Sequence, residues 1–268
     1  MIYIILIISY LLNKLIIPLF GRLYINAGFI KENYKGELIP NAMGIIYVLN
    51  VLIIALLLVM FTASNNYVEI FVFILGILTM GFIGLLDDFI GDNFVKGFKG
   101  HIKMLLSLKL TTGGLKAVLG GIVSILISSL ISIDFINFLI NTLIISLFTN
   151  FINLMDLRPG RAIKVFMIFS LPSLFYVSRI YKIILVCFIG ASLAYFPYDI
   201  KGRAMLGDIG SNCLGIILGI IATSYTMYIK ILLVVFLGLA NLYSEKHSIT
   251  KFIGKNKLLN FLDELGRG

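Results

Sequence analysis

Apolar stretches long enough to cross the hydrocarbon core of a bilayer as helices recur about nine times along the 268 residues, and that recurrence leaves few folds open. They lie near 1–20, 42–62, 67–86, 114–132, 135–152, 162–178, 181–197, 209–227 and 229–243. Lipid offers backbone N–H and C=O groups no partners, so each stretch is expected to be helical, and no alternating barrel pattern competes. With 60% hydrophobic and 13% charged residues and a mean hydropathy of +1.05, the chain is far more apolar than a soluble domain. The expected fold is all-α: a polytopic transmembrane bundle over 1–243, followed by a basic amphipathic tail over 244–268. The first stretch carries Asn13 and Lys14 and lacks a small-residue cleavage site, which reads as a retained span and not as a signal peptide.

The loops between these stretches fall into two alternating sets of very different charge. One set holds 18 of the 22 basic residues, including Arg22, Lys31, Lys35, the run from Lys96 to Lys116, Arg158, Arg161, Lys201, Arg203 and the lysines of the tail. The other holds only Arg179, Lys182 and Lys230. The excess of Lys and Arg places the first set, and with it the C-terminus, in the cytoplasm and the N-terminus outside, in a multi-pass protein of the cell membrane. The net charge of +9 is thus accounted for by orientation, and nucleic acid is not an expected partner. Cys187 and Cys213 fall within apolar stretches at no metal or redox spacing, so packing is their expected role.

The carboxylates repeat the asymmetry, although Asp and Glu contribute little to orientation. Asp87, Asp88, Asp92, Asp156, Asp199 and Asp208 fall on the cytoplasmic side, against Glu69 and Asp134 outside. Carboxylates at the ends of separate helices, interleaved with Lys and Arg, are what a site for a metal ion and a polyphosphate requires. Asp87 and Asp88 close the third stretch as two adjacent like charges, which calls for a cation or a proton to offset them, or for a helix dipole to cap. Gly207-Asp208-Ile-Gly-Ser211 opens the eighth stretch, where exposed N–H groups attract anions and Asp208 brings in a metal or simply caps the helix. Asn150, Asn153 and Asp156 stand three apart on one face at the end of the fifth stretch. Lys35 precedes Pro40 and Gly44 in a loop that lets it reach a phosphate, and His101 and His247, the two histidines, both lie in cytoplasmic loops.

In their order these motifs resemble those of the polyprenyl-phosphate N-acetylhexosamine-1-phosphate transferases, glycosyl transferase family 4, over about residues 1–250. Lys35 to Gly44 is similar to that family's lysine, proline and glycine loop, and Asp87-Asp88 to its aspartate pair. Asn153-Leu-Met-Asp156 is similar to its Asn-Leu-x-Asp element, and Leu206-Gly-Asp208-Ile-Gly-Ser211 to its Met-Gly-Asp-x-Gly-Ser element. The resemblance implies transfer of a sugar-1-phosphate from a UDP-amino sugar to polyprenyl phosphate in cell envelope polymer synthesis, with UMP released, Mg²⁺ required and the active site on the cytoplasmic face. It implies catalytic roles for Asp87, Asp88 and Asp208, metal binding by Asp208 and Asp88, and substrate binding by Lys35, Asn153, Asp156, Asp199 and His247. It leaves the sugar, the lipid length and a homodimer open.

Three departures from that pattern stand out. Asp156 is followed by Leu157-Arg-Pro159-Gly160, without the family's second aspartate; Asp199 stands where an asparagine is expected; and Ser244-Glu-Lys-His247-Ser replaces a histidine-rich loop with no further span after it. A relative without catalysis, binding the lipid carrier or organising an envelope complex, is the alternative these departures favour. A transporter is less in keeping with spans whose middles are nearly free of charge. The tail carries Ile249, Phe252, Ile253, Leu258, Leu259, Phe261 and Leu262 among lysines, a composition that suits either an anionic leaflet or a partner.

Overall fold

A computed structural model describes residues 2–61, 67–91, 100, 104, 107 and 111–267. Asp92, Lys96, Lys99, His101, Lys103 and Lys109 lie outside the described residues. Each of the nine apolar stretches contains a helix: α1 (Ile2–Asn26), α2 (Ile45–Phe61), α3 (Tyr67–Ile90), α4 (Thr112–Ile131), α5 (Phe135–Met155), α6 (Arg161–Ser173), α7 (Arg179–Ile200), α8 (Gly207–Ala222) and α9 (Met227–Lys246). Two short helices, α10 (Ile249–Lys255) and α11 (Lys257–Glu264), form the tail. Among the described residues the fold is all-helical apart from one antiparallel hairpin between α1 and α2, in which β1 (Ile30–Glu32) pairs with β2 (Leu38–Pro40), Lys31 opposite Ile39.

Among the described residues six helices, α1, α3, α4, α5, α7 and α9, are long and apolar enough to cross a membrane. The other helices of the nine stretches have shorter runs, 17, 13 and 16 residues in α2, α6 and α8. In α8 every residue from Ile209 to Ala222 is buried, so its all-round apolar surface is covered by protein and not by lipid. Helices α2, α3, α5, α6 and α7 surround it, with α4 lying against α3 and α5, α1 against α7 and α9 against α5.

Helices in lipid gain nothing by merely hiding apolar surface from each other, so close packing and polar contacts must hold them. The chain uses both. Gly215 and Gly219, four apart on α8, let the backbone of α5 come so near that a Cβ on either would sit 2.6 Å from the Thr149 Cα or 2.7 Å from the Ile145 Cα. On the far side, a buried polar cluster joins α1, α2 and α7. Asn13 Nδ2 donates to Asn50 Oδ1 at 3.0 Å, Asn50 Nδ2 returns a bond to Asn13 Oδ1 at 2.8 Å, and Ser9 Oγ donates to the Cys187 carbonyl at 2.6 Å.

Gly219→Val forces α5 and α8 apart along backbone and not along flexible side chains. We expect it to cost about 2 kcal/mol or more, read as a lowered midpoint of thermal unfolding in detergent, whereas Gly121→Val on α4, whose Cβ would meet nothing within 4 Å, leaves the midpoint within about 0.5 kcal/mol of the parent.

Candidate active site

The two aspartates that end α3 meet different surroundings. Asp87 is half-buried, while Asp88 is 9% exposed and turned inward. A carboxylate at a helix C-terminus faces the negative end of that helix's dipole, and Asp88 finds its stabilisation on another helix. Its Oδ1 accepts the N–H of Asp208 at 3.1 Å and its Oδ2 that of Ile209 at 3.0 Å. These are N–H groups of the first turn of α8 that have no intrahelical acceptor, and the helix's own N-cap residue, Leu206, has no oxygen to offer them. Asp88 therefore caps α8 across the bundle. Gly207 makes the approach feasible: its φ is +77°, and a Cβ there would sit 2.5 Å from Asp88 Oδ2. The sequence leads one to expect that the start of α8 would draw a phosphate; in the structure the chain's own carboxylate already holds two of those N–H groups.

The hairpin is fastened to the same helix start. Met205 N–H donates to the Pro40 carbonyl at 2.8 Å, Met43 N–H to Met205 at 2.9 Å and Gly44 N–H to Leu206 at 2.8 Å. Asn33 Nδ2 donates to the Gly202 carbonyl at 2.9 Å, and Phe29 stacks on Phe89 at 3.9 Å between ring centroids. Lys31 of β1 lies close enough for its charge to act on Asp88. Lys35 is at the exposed hairpin tip, its ammonium 5.4 Å from the centroid of the Tyr34 ring.

The Asp208 carboxylate pairs with the Lys116 ammonium of α4, side chains 30% and 12% exposed. One turn further, Ser211 Oγ donates to Asn153 Oδ1 at 2.8 Å, fixing α5 against α8. Asp156, at the C-cap of α5, is pushed well above the usual carboxylate range, first by withdrawal from water and then by Asp199, Asp208 and Asp88. Asp199, 4% exposed near the end of α7, accepts the Gly160 N–H through Oδ2 at 3.0 Å. Asp88, Asp208, Asn153, Asp156 and Asp199 thus share one polar region built from α3, α5, α7 and α8. His247 stands apart, exposed at the C-cap of α9, with its ring 4.8 Å from that of Tyr243.

Two participants were not named as site residues by the sequence reading. Ser211 was present only as part of a motif. Lys116 was counted among the loop cations; its place one turn inside an apolar stretch is the signal, since such a charge needs a partner within the protein. Among the described residues no three His, Cys, Asp or Glu side chains converge on one point. The available donors are oxygens, which suit a hard cation such as Mg²⁺ bound through one or two carboxylates. Asp208 keeps 30% of its side chain exposed and has Lys116 as its positive partner.

The tail closes over the loop after Asp156. Arg161, 3% exposed, donates to Asp263 through Nε at 2.7 Å and through Nη2 at 2.8 Å, and Arg267 adds two further bonds to the same carboxylate at 3.0 and 2.8 Å. Arg267 Nε donates to the Pro159 carbonyl at 2.8 Å, and Lys164 Nζ to those of Leu262 and Asp263. Burial pushes the Asp263 carboxyl up, but the bonds and charges of Arg161 and Arg267 outweigh it and hold the group down at about 2.

Since that value lies below the ordinary carboxylate value near 4, the anchoring contributed by Asp263 is fully present above about pH 4 and is lost as the pH falls through about 2. At neutral pH, Asp263→Asn leaves the buried Arg161 without its counter-charge, at a cost of roughly 3 kcal/mol. The expected result is at least tenfold faster tryptic cleavage at Lys251, Lys255 and Lys257 with the rest of the bundle intact; unchanged cleavage would show that the ion pairs do not hold the tail.

Residues 70–226 match the model of Glycosyl transferase family 4. This range runs from the first turn of α3 to the turn after α8 and so contains every carboxylate of the polar region. The chain is also similar to the phospho-N-acetylmuramoyl-pentapeptide-transferase of Staphylococcus saprophyticus, 24% identical over 272 aligned positions that cover 92% of this chain and 82% of that one. Because the family match spans more than half of the chain and includes the α3, α5, α7 and α8 elements that build the site, the protein belongs to glycosyl transferase family 4.

Proposed function

We propose that the protein transfers a sugar-1-phosphate from a UDP-amino sugar to a polyprenyl phosphate in its membrane, releasing UMP, with the site at the cytoplasmic face. The observation that carries this reading is the meeting of Asp88, Asp208, Asn153 and Lys116 around the start of α8, within the region matched to the family. A phosphate oxygen of the lipid forms a bond to the β-phosphorus of the donor; the bond from that phosphorus to the bridging oxygen breaks, and UMP leaves with the oxygen. Such a reaction asks the protein mainly for positioning and for neutralisation of phosphate charge.

Each residue has a role in this. Asp88 holds the first turn of α8 in place and thereby fixes where Asp208 stands. Lys116 and Lys31 supply positive charge on either side of that turn, the first paired with Asp208 and the second near Asp88. Asn153, its Oδ1 bonded by the Ser211 hydroxyl, keeps its amide N–H₂ to offer to substrate, and Asp156 and Asp199 would contribute to recognition of the nucleotide or sugar. Asp87, Asp156 and Asp208 are the carboxylates with partly open surface, and Lys35 on the hairpin tip would reach the donor's phosphates once substrate is bound. His247, exposed at the end of α9 and apart from these residues, would meet the donor only from outside the polar region. Asp208, with Asp88 or Asp87, would hold Mg²⁺, which when bound neutralises phosphate oxygens and makes the phosphorus more electrophilic.

The test is UMP release by purified protein in detergent with undecaprenyl phosphate, Mg²⁺ and a panel of UDP-amino sugars. We expect release that requires lipid and is abolished by EDTA, and at least about a hundredfold loss in Asp208→Asn and in Lys116→Met, as for removal of a group that stabilises transition-state charge. No release with any donor, from folded protein that still binds lipid phosphate, would replace this reading by that of a non-catalytic relative.

A further inference from the structure

Helix α11 is amphipathic in the reverse sense from a helix docked on a soluble protein. Its one strongly buried side chain is a carboxylate, Asp263, held by Arg161 and Arg267. Leu259, four residues before Asp263, is half-buried beside it, while the other apolar residues face away: Leu258 is 68% exposed, Phe261 61%, Leu262 41% and Leu265, at the C-cap, 55%. Spaced at three and four residues, these four form one continuous stripe on the side opposite Asp263. An outward apolar stripe pinned from beneath by charge is costly in water, and the ion pairs prevent the helix from rolling to hide it. The stripe must therefore be covered from outside.

What surrounds it decides the occupant. Lys251, Lys255 and Lys257 are exposed beside the stripe, whereas Arg161 and Arg267 are both engaged with Asp263 on the opposite face. The tail also begins directly after α9, which is long and apolar enough to cross a membrane and ends at Lys246, so α10 and α11 start at the height where such a helix leaves the hydrocarbon. Apolar side chains next to lysines, at that height, match an anionic lipid surface, where each nearby lysine strengthens association by roughly fivefold. We propose that α10 and α11 form an in-plane anchor, in which Phe261 and its neighbours on the stripe enter the headgroup boundary of an anionic leaflet while Asp263 locks the opposite face to the loop before α6. The anchor depends on the chain lying in a membrane and not on its catalysing transfer.

The test uses the full chain in lipid nanodiscs, with a bimane label on Phe261→Cys or, off the stripe, on Glu264→Cys. The native Cys187 and Cys213 are buried and stay unlabelled. In discs with about 30% phosphatidylglycerol and a nitroxide lipid, the label at 261 is expected to be quenched at least threefold more than that at 264. This excess is expected to fall by half or more in discs of phosphatidylcholine alone, and likewise when Lys251, Lys255 and Lys257 are all changed to Glu. A label at 261 as accessible to aqueous iodide as that at 264 in anionic discs overturns the anchor. Quenching equal in the two lipids overturns the anionic preference, and shielding that appears only in discs holding two copies assigns the stripe to self-association instead.

Discussion

The bonds from Asp88 to the first turn of α8 set the frame in which the other site residues stand. A buried carboxylate at the end of α3 and an uncapped helix start would each be costly in a medium of low dielectric. Brought together, the charge receives two N–H donors and those donors receive an acceptor. Gly207 permits the contact by its left-handed backbone and its lack of a Cβ. Because the Pro40 to Gly44 segment is bonded to Met205 and Leu206 next door, the hairpin, α2, α3 and α8 are tied at a single place. Lys116 and Asn153 then find their positions relative to α8, through Asp208 and Ser211 respectively.

This arrangement changes what a phosphate would meet. The free helix N-terminus that ordinarily attracts anions is here partly occupied by Asp88, so in the proposed reaction the phosphates would rely on side-chain cations and on a metal ion. The region is rich in acid: Asp156 feels Asp199, Asp208 and Asp88 together, with Lys116 as the counter-charge that acts on it. An anionic substrate approaching such a cluster is repelled unless cations come with it or are waiting for it. Phosphoryl transfer has the same demand, since its transition state spreads negative charge over the transferred group's oxygens.

Much of this was legible in the sequence, because apolar length and motif order are local properties. The nine helices lie where the apolar stretches do, and the motifs around Asn153, Asp156, Asp199 and Asp208 lie at helix ends that share one polar region. What was not legible depends on pairing between distant elements. Nothing local distinguishes Asp88, which turns in to cap another helix, from Asp87 beside it. Lys116 could be noticed as a charge inside an apolar run, but its partner is ninety-two residues away in sequence. Helix α8 is enclosed by five other helices, a burial in protein that a hydropathy pattern cannot separate from burial in lipid.

The two departures from the family pattern that looked independent in the sequence meet at one hydrogen bond. The loop that lacks the second aspartate begins α6 at Gly160, in a left-handed conformation and with no capping side chain of its own. Asp199, the carboxylate found in place of an asparagine, accepts the Gly160 N–H, so an acid from α7 serves the turn from which an acid is missing. From the other side Arg267 binds the Pro159 carbonyl while it and Arg161 share Asp263. The tail, the loop and the end of α7 are thereby one connected unit at the rim of the polar region.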